Sequence, residues 1–573
     1  MKNFEIARLF DLMADVLELR EENVFRIRAY RRAAQSLESL REDVQTLARD
    51  DRLDEIPGIG ADLAGKIAEY LQTGHVRDIE RATKKIPAGV VALMNVPGIG
   101  PKMAMRLHEK GITGIDRLEK AARAGRLRGL PGIQAKTEQS ILRGIALVRS
   151  GEARMLLGRA LPIGRTIVEA LRRTRGVKQI TLAGSVRRGR ETVGDIDVLV
   201  TSDRPAAVMD AFVALPDVAE ILEKGATKGS IRHREGIQVD LRVMEPASFG
   251  AALVYFTGSK QHNIRIREMA VRRHLKINEY GVFREKTGAR VAGATEEEVY
   301  SAVGLPWIPP ELREDAGEIE AALARRLPAL VTLDEVRGDL HCHTKASDGR
   351  ATIEELVGAA RERGYEYVAI TDHSRSARVA GGLSLPEIRT HAARVRAVAR
   401  TSRGINVLAG VECDIMPDGS MDYPDEVLGQ LDVVVAAVHA RFKQPGPEMT
   451  RRLCRALENP NVDVLAHPSG RLIGERDAYA FDLEKVLDTA KRHDKAIEIN
   501  AYPTRLDLNA VQARRAHERG VLLAIDTDAH MVDHLASMEL GVTTARRGWV
   551  EPAGVINTWP VKKLRAWLAR HRG

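Results

Sequence analysis

The chain of 573 residues is predicted to be a multidomain protein: α-helical N-terminal domains, a mixed α/β unit, and a C-terminal distorted (β/α)7 barrel. Three observations predict this. A Pro-Gly-Ile turn recurs three times in a helical N-terminal stretch, the pattern changes to strands at Lys178, and beyond about residue 335 seven apolar strands alternate with helical segments, most of them followed by metal-ligating side chains. Composition agrees. Hydrophobic residues make up 44% and charged residues 29%, ordinary proportions for a folded chain, and the length exceeds that of a single binding module. No apolar run approaches the roughly 18 residues of a membrane span. No secretory pattern opens the sequence, and three cysteines (Cys342, Cys413, Cys454) are too few for a disulfide framework. The expected location is the cytosol, with no membrane partner.

The first element is helical because Ile6, Leu9, Phe10, Met13, Val16 and Leu17 recur at helical spacing. The turns follow: Ile56-Pro57-Gly58-Ile59-Gly60, Val96-Pro97-Gly98-Ile99-Gly100 and a degenerate Leu130-Pro131-Gly132-Ile133-Gln134. In each, proline sets the entry and glycine lets backbone N–H groups approach a guest at a helix start, where a phosphate is favoured. One such turn is ordinarily a plain connector. Repeated next to residues 81–190, which hold 24 basic and 6 acidic side chains, it resembles the helix-hairpin-helix motif. That resemblance assigns Gly58, Gly60, Gly98, Gly100 and Gly132 to DNA-backbone contacts, in a field suited to a polyanion.

The α/β unit follows from the segments QITLAGS, DIDVLVTS and IQVDLRVM, which read as strands between helices. Alternation puts Asp195 and Asp197 on one face of a strand, and Asp240 lies on a later one. Three carboxylates brought together repel unless divalent cations bridge them, and Mg²⁺ with substrate phosphates is a natural occupant. Phosphoryl transfer at two metals is the implied chemistry. A lone Asp-x-Asp is usually a solvated strand edge; preceded by Gly184-Ser185 and followed by Asp240, it signals a nucleotidyltransferase.

GSVRRG, GDIDVLV, VDLR, Tyr255-Phe256-Thr257-Gly258-Ser259 and Lys276-Ile277-Asn278-Glu279-Tyr280 resemble the palm and thumb of the family X DNA polymerases over about residues 1–315. The resemblance implies domains at 1–80 (helical, helix-hairpin-helix), 81–150 (fingers-type, helix-hairpin-helix), 151–245 (palm) and 246–315 (thumb), then a linker at 316–334. It implies that Asp195 and Asp197 bind Mg²⁺ or Mn²⁺ and that Asp240, a third ligand, assists deprotonation of the primer hydroxyl. Ser185, Arg188 and Gly194 would meet the triphosphate, with Tyr255 and Phe256 beside the sugar, Asn263 on the minor-groove edge and Arg267 on the template, and Gly184 and Gly258 are further substrate-binding candidates. Two positions depart from the pattern. Gln238 stands where family members often carry Arg, and Lys260 where a well-known member carries Asp; a cation at Lys260 would grip the nucleotide. Lys66 matches the lysine that forms a Schiff base with 5′-deoxyribose phosphate, although Asp62 replaces a helping lysine. An amine must lose its proton for that reaction.

Past residue 335 histidine takes over: eleven of the sixteen lie there. Asp339-Leu340-His341-Cys342-His343, Asp348, Thr371-Asp372-His373, Glu412, His439, His467 and Asp526-Thr527-Asp528-Ala529-His530 almost all follow apolar strands. At the strand ends of a barrel they converge on one cleft, as ligands suited to Zn, Mn or Fe. The set resembles the PHP domain (335–573), which implies three Zn²⁺- or Mn²⁺-type ions. His341, His343, Glu412 and Asp528 would hold one. Glu412 would bridge to a second at His439 and His467, and Asp348, His373 and His530 would hold the third. Lys345, Arg375 and Arg441 are candidate phosphate contacts.

The leading expectation is a monomeric DNA-directed polymerase that fills short gaps in repair, working on gapped or primed DNA and deoxynucleoside triphosphates beside other repair proteins. Its PHP phosphoesterase would act on DNA as a 3′-5′ exonuclease, an abasic-site endonuclease or a 3′-phosphatase. One alternative is a small-molecule PHP phosphatase fused to an untemplated nucleotidyltransferase; another is a non-catalytic DNA-end scaffold.

Overall fold

The computed structural model describes residues 154–474 and 476–570 throughout. Before them it describes 6–7, 9–10, 13–14, 16–17, 22–38, 44–56, 58–84, 90, 93, 96, 99, 101–129, 138, 141–142 and 144–145. The chain forms two compact units, Met1–Arg154 and Met155–Gly573.

In the first unit, the apolar positions spaced for a helix are the ones that pack: Ile6, Phe10, Met13, Val16 and Leu17 are buried in one core with Tyr30, Ile67, Leu107 and Leu118. That core runs through both expected helical domains. The turn repeats in space as well as in sequence. The Ile59 N–H donates to the Ile56 carbonyl and the Ile99 N–H to the Val96 carbonyl, each at 3.0 Å. Helices Ala61–Thr73 and Pro101–Glu109 follow. Gly58 has φ +83°, and a side chain there would collide with the stem of Arg32, so the turn requires glycine. Gly98, Gly100 and Gly132 lie outside the described residues.

The second unit opens with a short antiparallel pair, β1 (Met155–Leu156) with β3 (Thr192–Val193). Its main sheet contains β2 (Val177–Leu182), β4 (Asp195–Ser202), β5 (Val218–Lys224), β6 (Lys228–His233) and β7 (Gln238–Met244), ordered β2-β4-β7-β6-β5. Alternation sorts the side chains. Ile196, Val198, Val200, Val239, Leu241 and Val243 enter one core, under helices Leu157–Arg172 and Pro205–Val213. Leu199 and Met244 face the other way, toward Phe249, Ala252 and Leu253 of helix Phe249–Thr257. Asp195, Asp197 and Asp240 share that second face by parity.

A three-stranded antiparallel sheet follows: β8 (Leu275–Asn278), β9 (Gly281–Arg284) and β10 (Arg290–Ala292). It packs with helices Lys260–Val271 and Glu296–Ala302. The segment expected to act as a linker belongs to this core: Ile319 and Ala322 of helix Glu318–Leu323 are buried in it. Glu318 accepts from the N–H groups of Asp315 and Ala316 and lies 2.6 Å from His262 Nδ1. It is not a free tether.

Seven parallel strands complete the chain: β11 (Gly338–Asp339), β12 (Tyr367–Ile370), β13 (Asn406–Asp414), β14 (Val433–Ala437), β15 (Val464–Leu465), β16 (Ala496–Asn500) and β17 (Leu522–Asp526). They pair in sequence order. First and last meet through the parallel bridge Cys342–Ala529 and the His343 N–H to Ala529 carbonyl bond of 2.8 Å, so the sheet nearly closes into a barrel. One face of each strand meets the outer helices. The inward positions are apolar at the strand starts (Tyr367, Val433, Val464, Ala496), where Trp559, Leu564 and Trp567 stopper the barrel. On β13 and β16 the same parity turns to carboxylate near the strand end, at Glu412 and Glu498. Among the described residues no helix is long and apolar enough to cross a membrane.

Candidate metal centres

The first centre is built by strand register. β4 and β7 run parallel with Asp197 directly opposite Asp240 and Asp195 opposite Gln238, so the three carboxylates meet at one end of the sheet. The carboxylate of Asp197 also presses on Gly184: a Cβ at Gly184 would overlap its Oδ2. Gly184 has φ +63° and can pass that close because it has no side chain. Burial, then the charges of Asp195 and Asp240, push the Asp197 carboxyl up to about 7. Three carboxylates brought this close are a fit for divalent cations. The substitute at Gln238 has a definite role: its side-chain amide donates to Asp240 at 3.0 and 3.2 Å, and Ser230 donates to the same carboxylate. An arginine is therefore not needed to hold Asp240.

Around this trio the expected substrate residues fall into place unevenly. Ser185 is half-buried on the short helix Gly184–Arg187, and Gly194 is exposed beside Asp195. The rings of Tyr255 and Phe256 meet edge-on at 5.0 Å, and the Arg242 guanidinium covers Phe256 at 4.6 Å. Asn263 donates to the carbonyls of Tyr255 (2.6 Å) and Gly258 (3.2 Å), which fixes the turn between the two helices. Lys260 and Arg267 are exposed. Arg188 is engaged within the protein: it donates to Glu314 at 3.0 Å and to the Thr257 carbonyl at 2.7 Å, so contact with a triphosphate would require exchange of these partners.

Lys66 is the residue matched to the Schiff-base lysine. It is buried, donates to Asp62, and has a raised pKa: burial opposes the charge, but Asp62 and Tyr30 outweigh it. The amine is held protonated, the reverse of what attack on an aldehyde needs.

The second centre sits where the barrel strands end. His341 and His343 follow β11, His373 follows β12, Glu412 is in β13, His439 follows β14, His467 follows β15, and Asp528 and His530 follow β17. Glu412 is the hub. Its Oε2 faces His373 Nδ1 (2.8 Å), His341 Nε2 (3.4 Å) and His343 Nε2 (3.5 Å), while Oε1 faces His467 (2.8 Å) and His439 (3.3 Å). Asp348 lies 3.5 Å from His373 and 3.4 Å from His530. Three ligand groups result: His343, Asp348, His373 and His530; His341, His343 and Asp528; His373, Glu412 and His439. These groups overlap rather than follow the expected partition: His343 and His373 each reach two, because each imidazole directs two nitrogens into the cleft, Glu412 groups with His373 and His439, and His467 belongs to none of the three.

Burial without bonding shows that these side chains fit cations. His341 Nε2 and both nitrogens of His343 are buried with no hydrogen-bond partner, a costly state for polar atoms unless a metal completes them. Two carboxylates outside the cluster and a backbone carbonyl orient three rings. His341 Nδ1 meets Glu498 at 2.7 Å, His439 Nδ1 meets Asp414 at 2.6 Å, and His530 Nδ1 donates to the Asp528 carbonyl at 2.7 Å. Burial lowers His343 to about 4 and His467 to about 3, aided by neighbouring cations. At His373 and His439 burial is outweighed by Glu412, and the pKa values rise to about 10 and about 9. His467 and Asp528 adopt left-handed backbone, φ 27° and 52°, strain that concentrates at functional sites.

Glu498, Asp414 and Arg505 are additions to the expected set. Arg505 Nε lies 3.4 Å from Asp528 Oδ2, whereas Arg375 is taken by Asp422 and Lys345 and Arg441 are exposed. The carboxylates lie inside apolar strands and Arg505 in a loop, with no pattern marking any of them.

Family models match along the chain: a helix-hairpin-helix domain at 1–76, a SAM-like helix-hairpin-helix tandem at 90–146, a nucleotidyltransferase domain at 165–269, the DNA polymerase beta thumb at 252–314 and the PHP domain at 339–502. A Bacillus subtilis protein named DNA polymerase/3′-5′ exonuclease PolX is 38% identical over 574 residues, all of both chains. A probable phosphatase of Caldanaerobacter subterraneus is 31% identical over 246 residues, 41% of this chain and 91% of the other. A second probable phosphatase, from Caldicellulosiruptor saccharolyticus, is 34% identical over 212 residues, covering 35% and 83%.

Proposed function

The chain belongs to the PolX family, the family X DNA polymerases that carry a C-terminal PHP domain, and we propose from that premise that it fills short gaps in DNA and trims 3′ ends at a separate centre. The observation that carries the first activity is the register of Asp197 with Asp240 beside Asp195. That of the second is the buried Glu412 faced by five imidazoles.

Mg²⁺ or Mn²⁺ held by Asp195, Asp197 and Asp240, and Zn²⁺- or Mn²⁺-type ions held by the histidine cluster, would supply charge neutralisation and a nucleophile deprotonated near neutral pH. The chain's own groups do the rest. Gly184 and Ser185 start a helix whose N–H groups face the triphosphate, and Tyr255 and Phe256 wall the sugar side. Lys260, Asn263 and Arg267 flank the nascent pair and template. Asp240, fixed by Gln238 and Ser230, is positioned to take the primer hydroxyl proton. In the PHP domain (335–573), Glu498 and Asp414 hold His341 and His439 with one nitrogen facing inward, and Arg505 offers a guanidinium to a phosphate oxygen.

We read residues 1–80 and 81–150 as helix-hairpin-helix DNA-gripping domains, 151–245 as palm and 246–315 as thumb, acting on gapped or primed DNA in the cytosol. A small-molecule phosphatase fused to an untemplated transferase is disfavoured by a relative matching the full length, helix-hairpin-helix regions included. The test is one-nucleotide gap filling and 3′-end trimming by the full chain. Asp195→Ala is expected to abolish only the first and His343→Ala only the second; loss of neither refutes the assignment.

A further inference from the structure

Glu191 immediately precedes β3, which leads through Gly194 to Asp195, and the Leu157 N–H donates to its carbonyl at 2.9 Å. Its carboxylate is gripped by Arg471 of the barrel in a two-pronged pair, 3.0 Å through one terminal nitrogen and 2.6 Å through the other. The same guanidinium turns its remaining edge to the barrel loop after β16. Nε donates to the Arg505 carbonyl at 2.9 Å, and a terminal nitrogen to the Leu506 carbonyl. Arg505 in turn points Nε at Asp528, a ligand of the second centre, 3.4 Å away. A single side chain thus touches the loop leading to Asp195 and the loop presenting Arg505.

Arg471 and Glu191 are 15% and 28% exposed at their side chains, so the pair is shielded more than a surface ion pair. A planar guanidinium spends its donors in fixed directions; once its fork holds Glu191, the directions of its bonds to the 505–506 carbonyls are set. Adjacent bonds brace this arrangement. The Ile473 N–H donates to the Thr504 carbonyl at 2.7 Å, and the Ser469 N–H to Asp507 at 3.0 Å.

We propose that Arg471 is a positioning residue for the phosphoesterase centre, holding Arg505 at Asp528, and that it takes its own orientation from Glu191 of the palm. This rests on the exonuclease reading above. The consequence is unusual for a residue in the synthetic half: a change at Glu191 alters hydrolysis.

The experiment uses the full chain with Mn²⁺ and a 3′-labelled single-stranded oligonucleotide, recording kcat and KM for trimming. Glu191→Gln, Arg471→Lys and Arg505→Ala are each expected to lower kcat on the order of tenfold, the scale of a small misplacement of a reacting group. For Glu191→Gln and Arg471→Lys, KM is expected to stay within about twofold. Arg471→Lys keeps the charge and loses the fork, so wild-type kcat in this variant overturns the proposal. So does wild-type kcat in Glu191→Gln or in Arg505→Ala, or a loss in Glu191→Gln/Arg505→Ala equal to the product of the single losses. Should Arg471→Lys misfold, Glu191→Gln, a half-buried change in another domain, carries the test. Asp195→Ala and His343→Ala in the same assays show whether the two activities exist at all, so failure of this proposal is distinguishable from failure of the functional reading.

Discussion

Asp197 and Asp240 are direct partners on parallel strands β4 and β7, and the lower face of Gly184 is closed by the Asp197 carboxylate. Two backbones from distant sequence therefore set the spacing of the acids. Asp197→Asn keeps the shape and removes the charge. It is expected to reduce gap filling by at least about a thousandfold, a loss of roughly 4 kcal/mol of transition-state stabilisation, while 3′-end trimming continues. Single-turnover incorporation into a gapped duplex measures the first, and release of labelled mononucleotide the second.

Glu412 joins the two halves of the histidine cluster, with one oxygen toward His341, His343 and His373 and the other toward His439 and His467. Glu412→Gln should lower the number of bound ions per chain by at least one after dialysis and abolish trimming, with polymerisation retained. Elemental analysis of the purified protein counts the ions. An undiminished metal content would contradict the hub role.

Lys66 is paired with Asp62 and stays protonated. Reduction with borohydride in the presence of a 5′-deoxyribose-phosphate end should leave no covalent adduct on Lys66 at neutral pH, and Lys66→Ala should release the sugar phosphate at the wild-type rate. A Lys66-dependent adduct would restore the lyase assignment.

Glu296 is the buried partner of two arginines: Arg187 donates to both its oxygens at 2.7 and 2.8 Å, and Arg313 donates at 2.6 Å. Burial raises its pKa, but the two guanidinium groups outweigh that and bring it down to about 2 from an ordinary 4.5. Below about 2 the carboxyl is protonated in both folded and unfolded chains; between 2 and 4.5 only the unfolded chain takes up the proton; above 4.5 neither does. The stabilisation from this pairing is therefore full above about 4.5 and is lost as pH falls toward 2. Glu296→Gln should cost about 3 kcal/mol at pH 7, the scale of a buried pair broken on one side. The gap from wild type should narrow from pH 4.5 downward in urea titrations.

The barrel was legible because its ligands follow apolar runs: His439 after Val433–Val438 and His467 after Val464–Ala466 could hardly end elsewhere than at the cleft. The Asp195, Asp197 and Asp240 trio was legible from strand alternation. The pairing of ligands was not, since whether His343 serves one group or two depends on ring orientation in the folded cleft, where its two nitrogens face different carboxylates, Asp348 and Asp528. Arg188 was read as free for a triphosphate because nothing near it in sequence marks Glu314, 126 residues away, as its partner. Lys66 was placed by its offset from Gly58, but its charge is favoured first by Asp62, one helical turn away, and then by Tyr30 of helix Val24–Glu38, whose approach spacing does not reveal.

The barrel's far end is sealed by Trp559 and Trp567, whose rings meet edge-on at 6.0 Å, with Tyr367 anchored to the carbonyls of Ile556, Asn557 and Trp559. There is accordingly no back door among the described residues. A nucleotide clipped at the strand ends is therefore expected to leave by the side on which the strand arrived, and an added monophosphate is expected to compete with the incoming end.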